Sequence, residues 1–431
     1  MLIEGKYYDV TNLKHPGGSV IKFYAGKGID ATQAYYNFHI RSEKAQKYLT
    51  QLPSRTATAA ETSSSTSSAK GKGGQVTNET VDPLPGKQEL LIDFNKFTKQ
   101  LYDEGYFEPS LPHAIYRIFE IFFMHFLGYV LATQSSSITG GSSSLSSLIS
   151  FIGILILGIA SGRCGWLMHE CGHYSLTGSI PIDKQLQVWL YGLGCGMSAS
   201  WWRAQHNKHH SMPQKLQHDV DLNTLPLVAF TSKIVKKANK MLRNWISIQA
   251  ICFPLITCLL VALGWQFYLH PRHIIRSKNY AEIPPLIARA ALFYYLVVVP
   301  YGALPAMGYY LLYNFIAADY IFINFALSHT HLPTVPAEDK QVDWVRYAAI
   351  HTMNVSPGPF NFVSWWMSYL NFQIEHHLFP SMPQFRHPLI SKRVKALFEK
   401  HGLVYDQRSY VEGVKVTFQN LSKVGNEVFI G

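Results

Sequence analysis

Charge is scarce in this chain: Asp, Glu, Lys and Arg supply only 15% of its 431 residues, against 48% hydrophobic and 14% aromatic. Soluble domains carry roughly 25% charge, so this balance argues against an ordinary soluble enzyme and for a membrane protein with a soluble appendage. Cysteine is scarce too. The five (Cys164, Cys171, Cys195, Cys252, Cys258) have no paired spacing, which argues against a disulfide framework and for reduced core thiols. The opening stretch Met1 to Val10 lacks a continuous apolar run and alternates like a strand, so no signal peptide is expected and the N-terminus is expected in the cytosol. Acidic residues are outnumbered 27 to 38 by Lys and Arg, a net charge of +11. The positive residues are scattered beside apolar runs, where anionic lipid and cytosolic retention of positive charge explain them, so nucleic acid is not expected as a partner.

What the chain does have is histidine in clusters. His169-Glu170-Cys171-Gly172-His173 and His206-Asn207-Lys208-His209-His210 are spaced so that a helix would aim their imidazoles at one point, because residues three and four apart share a face. A third cluster, Gln373-Ile374-Glu375-His376-His377, lies far downstream. A lone histidine is usually a surface or hydrogen-bonded core residue, but tight clusters of ionisable groups at membrane depth are costly and functional by default. A single zinc ion takes about three or four protein ligands, so the seven imidazoles point to two metals. His329, in Ser328-His329-Thr330-His331 after an apolar run, is an eighth candidate. His218-Asp219-Val220-Asp221 supplies carboxylates that could accept the outer N–H of ligating rings.

Apolar runs set the expected topology. About 115–134, 147–168, 285–304 and 306–328 are each near the ~20 residues that span a bilayer. A further run, about 245–268, precedes the basic stretch His270-Pro271-Arg272-His273 with Arg276 and Lys278. Positive charge should hold it on the cytosolic side, so it is expected to be interfacial or re-entrant. Counting it as a crossing would also put the third histidine cluster across the lipid from the first two. Arg117, Glu120, His125 and Asp319 fall inside proposed spans and are expected to serve packing, with Arg117 and Glu120 paired on one face.

Residues 1–51 read as a compact polar module around His15-Pro16-Gly17-Gly18, with His39 following the aromatics Tyr35, Tyr36 and Phe38. Two histidines on separate elements facing an apolar slot would suit a haem iron with both axial positions filled. Residues 52–86, rich in Ser, Thr, Ala, Gly and Lys, read as a flexible linker. Residues 87–431 form the membrane domain, entered by an amphipathic helix through Leu90, Leu91, Phe94, Phe97, Leu101 and Tyr102.

The first module resembles cytochrome b5 in its His-Pro-Gly-Gly turn and histidine spacing, although it is N-terminally short beside that family. The resemblance implies haem b held by His15 and His39. Metals held by neutral imidazoles under an apolar channel, with a haem module attached, suit oxygen activation, since hydrolysis needs no electrons.

The three clusters, with Gln373 where many relatives open the third with histidine, resemble a front-end fatty acyl desaturase of the membrane di-iron family, delta-5 or delta-6 in type. His218 to Pro226, Ser328 to Pro333 and Ser364-Trp365-Trp366 carry the same resemblance. It implies a mainly α fold: a four-helix transmembrane desaturase with a cytosolic histidine-box cap and a small α+β cytochrome b5-like N-terminal domain. It implies two iron ions held by His169, His173, His206, His209, His210, His329, Gln373, His376 and His377. O2 would be the co-substrate and the product a cis double bond in a polyunsaturated fatty acyl chain, carried as acyl-CoA or phospholipid. Electrons would come from NADH through cytochrome b5 reductase, at the endoplasmic reticulum membrane.

Within the same class, a sphingolipid long-chain-base desaturase shares much of this plan. Two readings come from other classes. His169 to His173 spells the H-E-x-x-H pattern of zinc proteases, with Glu170 as general base. A membrane-tethered haem electron carrier would leave the histidine clusters without a catalytic role.

Overall fold

The computed structural model describes residues 1–58, 87–235, 239–339 and 343–430. Most of the expected linker, from 59 to 86, lies outside them. At the N-terminus Gly5 (φ +68°) turns strand β1 (Leu2–Ile3) into β2 (Lys6–Tyr8). A third strand, β3 (Ser54–Thr56), pairs antiparallel with β2. The module therefore runs past the expected boundary at 51, because the start of the supposed linker completes its sheet. Helices α1 (Thr32–His39) and α2 (Glu43–Gln51) pack alongside, and the Ser42 hydroxyl caps α2 by accepting from Ala45 N–H.

Helix α3 (Lys87–Asp103) buries Leu90, Phe94, Phe97 and Leu101. Its apolar face is covered by protein, with Phe94 stacked on Phe379 at 5.4 Å, so it docks on the cap that follows the third cluster before the chain continues to Leu111.

Next come α4 (Leu111–Thr133) and α5 (Ser143–Gly172), then α6 (Ile180–Trp189) and α7 (Ala199–Ser211), whose start is capped by the Ser198 hydroxyl. They are followed by α8 (Gln249–Ser277), α9 (Tyr280–Tyr301) and α10 (Ala303–Ala326). Among the described residues four helices are long and apolar enough to cross a membrane: α4, α5, α8 and α9. The run at 245–268 lies in a helix that qualifies by composition, whereas α10 falls outside the four because Asn314, Asp319, Asn324 and its tyrosines lower its hydropathy.

Helix α5 is the centre of the bundle, and from Ala160 to Gly172 every residue is buried. Small residues let its neighbours approach: a Cβ on Gly158 would come within 2.6 Å of Ile316 on α10, and one on Gly162 would overlap the Tyr320 ring. The outward face of α4 is apolar and exposed, including Ile115, Phe119, Phe122 and Phe126. Arg117 lies 3.9 Å from Glu120, as expected of the i,i+3 pair, and Asp319 accepts from the Thr257 hydroxyl. All five cysteines are free.

After α10 the chain forms a cap of α11 (Trp344–His351), α12 (Gln373–Leu378), α13 (His387–Lys400) and α14 (Tyr410–Ile430), with a short parallel pair Asn354–Val355 and Gln407–Arg408. Replacing Gly162 with Leu is expected to overpack the α5–α10 contact and cost ~1–3 kcal/mol. Thermal unfolding in detergent should show a lower Tm, while Gly308→Ala, whose new methyl meets nothing within 4 Å, should not lower it.

Candidate metal centre

The last turns of α5 and α10 end side by side, and each delivers histidine: His169 and His173 from α5, His329 just beyond α10. Helix α7 brings His206, His209 and His210 on its last turns, and the short helix α12 brings His376 and His377. All eight expected imidazoles therefore meet. They fall into two adjoining groups: His169, His173, His206, His210 and His376, and then His209, His329 and His377. Within each group the ring nitrogens lie within 4.8 Å of one another. Rings of the two groups touch, with His210 stacked on His377 at 4.2 Å. Gln373, expected as a ligand, is buried and hydrogen-bonds the His329 ring.

Three of the rings have an outer nitrogen held by the protein. Asp219 receives His209 Nδ1 at 3.0 Å, the orienting contact expected of that carboxylate, and is itself fixed by the N–H groups of Gln214 and Asp221. His329 Nδ1 donates to the His351 carbonyl at 3.0 Å. The Gln384 side-chain amide sits 2.9 Å from His169 Nδ1, and its backbone N–H donates to Glu170. Neither Gln384 nor the His351 carbonyl was legible in advance, since no spacing marks a backbone oxygen or an amide brought in from a distant loop.

The inner nitrogens face one another. His206 Nε2 lies 3.0 Å from both His173 Nε2 and His210 Nε2, yet it carries at most one proton to share. His169 Nε2, His377 Nε2 and both nitrogens of His376 have no partner at all. Each buried, unsatisfied polar atom costs ~1–3 kcal/mol, and a cation in each group would satisfy them together. Burial, then the neighbouring imidazoles, holds His206, His210, His376 and His377 well below the usual histidine range. Burial pushes His173 and His329 down to about 3. Those six rings are therefore neutral, the form that donates a lone pair to a metal. Burial also opposes charge on His209, but Asp219 and Asp221 outweigh it and push that ring up to about 9. The donor set fits metal.

Two comparisons bear on what kind of centre this is. Residues 146–409 match the fatty acid desaturase family, and residues 1–55 match the cytochrome b5-like haem/steroid binding domain. The chain belongs to the fatty acid desaturase family. It is 51% identical over 429 residues to the acyl-lipid (8-3)-desaturase of Rebecca salina, covering 99% of this chain and 91% of that one. To the acyl-lipid (8-3)-desaturase of Thraustochytrium sp it is 46% identical, covering 99% and 92%, and to fatty acid desaturase 3 of Bos taurus 27%, covering 99% and 90%. The desaturase is thus an oxidoreductase, with iron implied by its family and haem by its N-terminal domain.

That domain also fits its group. The His15 and His39 rings stand 5.9 Å apart, and His39 Nδ1 donates to the Tyr35 carbonyl, leaving Nε2 free for a metal. A Cβ on Gly17 would meet the His15 ring at 2.7 Å, and Gly18 has φ +75°, so one glycine of the turn gives room and the other gives backbone freedom. Replacing Asp219 with Asn should loosen the desaturase's hold on iron by ~10–100-fold. Iron retained under increasing chelator checks this, with the haem absorbance unchanged as control.

Proposed function

We propose that the desaturase inserts a cis double bond between an existing double bond and the carboxyl end of a polyunsaturated fatty acyl chain. Two irons are held by the two imidazole groups, with the Gln373 amide as a weaker partner of the second. The observation that carries this reading is the convergence of eight imidazoles as two adjoining groups, beside a docked domain of the cytochrome b5 kind. The acyl-lipid wording in the names of the two (8-3)-desaturase relatives supports a lipid-bound substrate. Their "8-3" fits delta-5, three carbons towards the carboxyl end from a double bond at carbon 8.

Iron bound there supplies the oxygen-dependent removal of hydrogen from an unactivated methylene. The protein's part is positional. The neutral rings stay ligands because burial keeps protons off them, and Asp219, the His351 carbonyl and Gln384 fix their orientation. Geometry of the acyl chain past the groups then selects the carbon.

The crossings proposed are α4, α5, α9 and α10, with α8 re-entrant. Helices α5 and α10 run alongside each other, Gly158 against Ile316 and Gly162 against Tyr320, and both end at the imidazoles. Since α10 follows α9 through Gly302 alone, α9 must start on the imidazole side, and α8 must leave and return there. That side is proposed as cytosolic, in the endoplasmic reticulum membrane, with electrons reaching the haem from NADH through cytochrome b5 reductase.

The protease reading is disfavoured by Glu170, whose carboxylate accepts from Gln384 N–H and lies 3.9 Å from Arg117 instead of facing a substrate. Yeast expressing the chain and fed single polyunsaturated acids should form a new delta-5 double bond, located by mass spectrometry. His209→Ala should abolish it while leaving the haem spectrum intact. New double bonds only in sphingoid bases would overturn the proposal in favour of the long-chain-base reading.

A further inference from the structure

The N-terminal domain is seated on the desaturase, although a long tether joins them. The Tyr24 hydroxyl donates to the Ser211 carbonyl at 2.9 Å, the Ser381 hydroxyl donates to the Asn37 carbonyl at 2.8 Å, and Arg41 reaches the carbonyls of Phe107 and Ser381. Ile3, Tyr24, Ile29, Ala31 and Ala34 are buried in one cluster with Phe94, Met212, Trp344 and Phe379.

At that junction one aromatic pair bridges the two sites. Phe38 directly precedes His39, and its ring lies 6.0 Å from the ring of Trp344, edge to face. Trp344 is buried, and its indole N–H donates to the Leu378 carbonyl at 3.1 Å. Leu378 is peptide-bonded to His377. Trp344 and Tyr347 also line, with His210 and His377, a cavity of about 10 Å³. Helix α11 that carries Trp344 ends at His351, whose carbonyl holds His329. From His39 to His377 there are two through-space steps, Phe38 to Trp344 and Trp344 to Leu378, and every other link is covalent.

We propose, on the reading that haem sits between His15 and His39 and iron in the imidazole groups, that electrons enter the metal centre through Phe38 and Trp344. Each passage moves one electron: haem iron goes from ferrous to ferric and one non-haem iron from ferric to ferrous, with no bond made or broken and no proton moved. Tunnelling weakens steeply with distance and faster across a void than through packed matter, so an aromatic pair filling the junction sets the rate. Of the hydrogen bonds that cross the junction, that from Tyr24 to Ser211 starts from a residue bonded to neither haem ligand and serves to dock.

The test uses the full-length holoenzyme without oxygen, its haem reduced by substoichiometric dithionite while the non-haem iron is oxidised, and haem reoxidation followed by stopped-flow absorbance. Trp344→Leu and Phe38→Leu should each slow reoxidation about tenfold or more, and Trp344→Phe, which keeps an aromatic ring against Phe38 but loses the bond to Leu378, should slow it less than Trp344→Leu. Iron content, haem content and hydrogen-exchange protection of residues 18–24 should stay unchanged, and Tyr24→Phe should keep the wild-type rate. Wild-type reoxidation in Trp344→Leu would overturn the route, as would slowing accompanied by lost protection, or slowing in Tyr24→Phe. Haem that is not reoxidised in the wild type would instead overturn the reading beneath it, and the route with it.

Discussion

Eight converging imidazoles, seven of them buried and His206 half-buried, constitute the constraint on which the rest depends. A buried ring nitrogen without a partner is costly, and here several converge with none. Such an arrangement is stable only if something positively charged fills it and if the surrounding elements cannot relax apart. The bundle supplies the second condition. Glycines on α5 bring α10 into contact along the membrane, so the ends of both helices, with His169, His173 and His329, arrive at one place.

Orientation comes from groups one layer out. Asp219, the His351 carbonyl and Gln384 each take one outer ring nitrogen, which leaves the inner nitrogen pointing at the group. Glu170 and Arg117, buried against each other, tie the first cluster to α4 and to the loop carrying Gln384. The same layer faces outward to the N-terminal domain, since α11 holds both His329 and the Trp344 contact with Phe38. Metal geometry and domain docking are therefore coupled through one short helix.

Much of this was legible in the chain because histidine spacing on helices is a local property. His169/His173 and His206/His209/His210 had to share faces, and the carboxylates at 219 and 221 sat close enough to be named as partners. The grouping was not legible: that His209 would leave its own helix neighbours to join His329 and His377 depends on tertiary placement. The strand Ser54–Thr56 was missed because three polar residues carry no apolar alternation. The amphipathic face of Lys87–Asp103 was seen correctly, but periodicity does not say whether lipid or protein covers it. For Gln249–Ser277 and Ala303–Ala326, composition and packing point different ways, because the face that Ala303–Ala326 turns to the bundle carries Asn314 and Asn324, which lower its hydropathy without facing outward.

The central claim is that two irons share this one set of imidazoles, and iron-57 Mössbauer spectroscopy with metal quantification on the purified holoenzyme tests it most directly. The account predicts about two non-haem irons per chain in nitrogen-rich sites, besides the haem. A single bound metal, or zinc in place of iron, would contradict it.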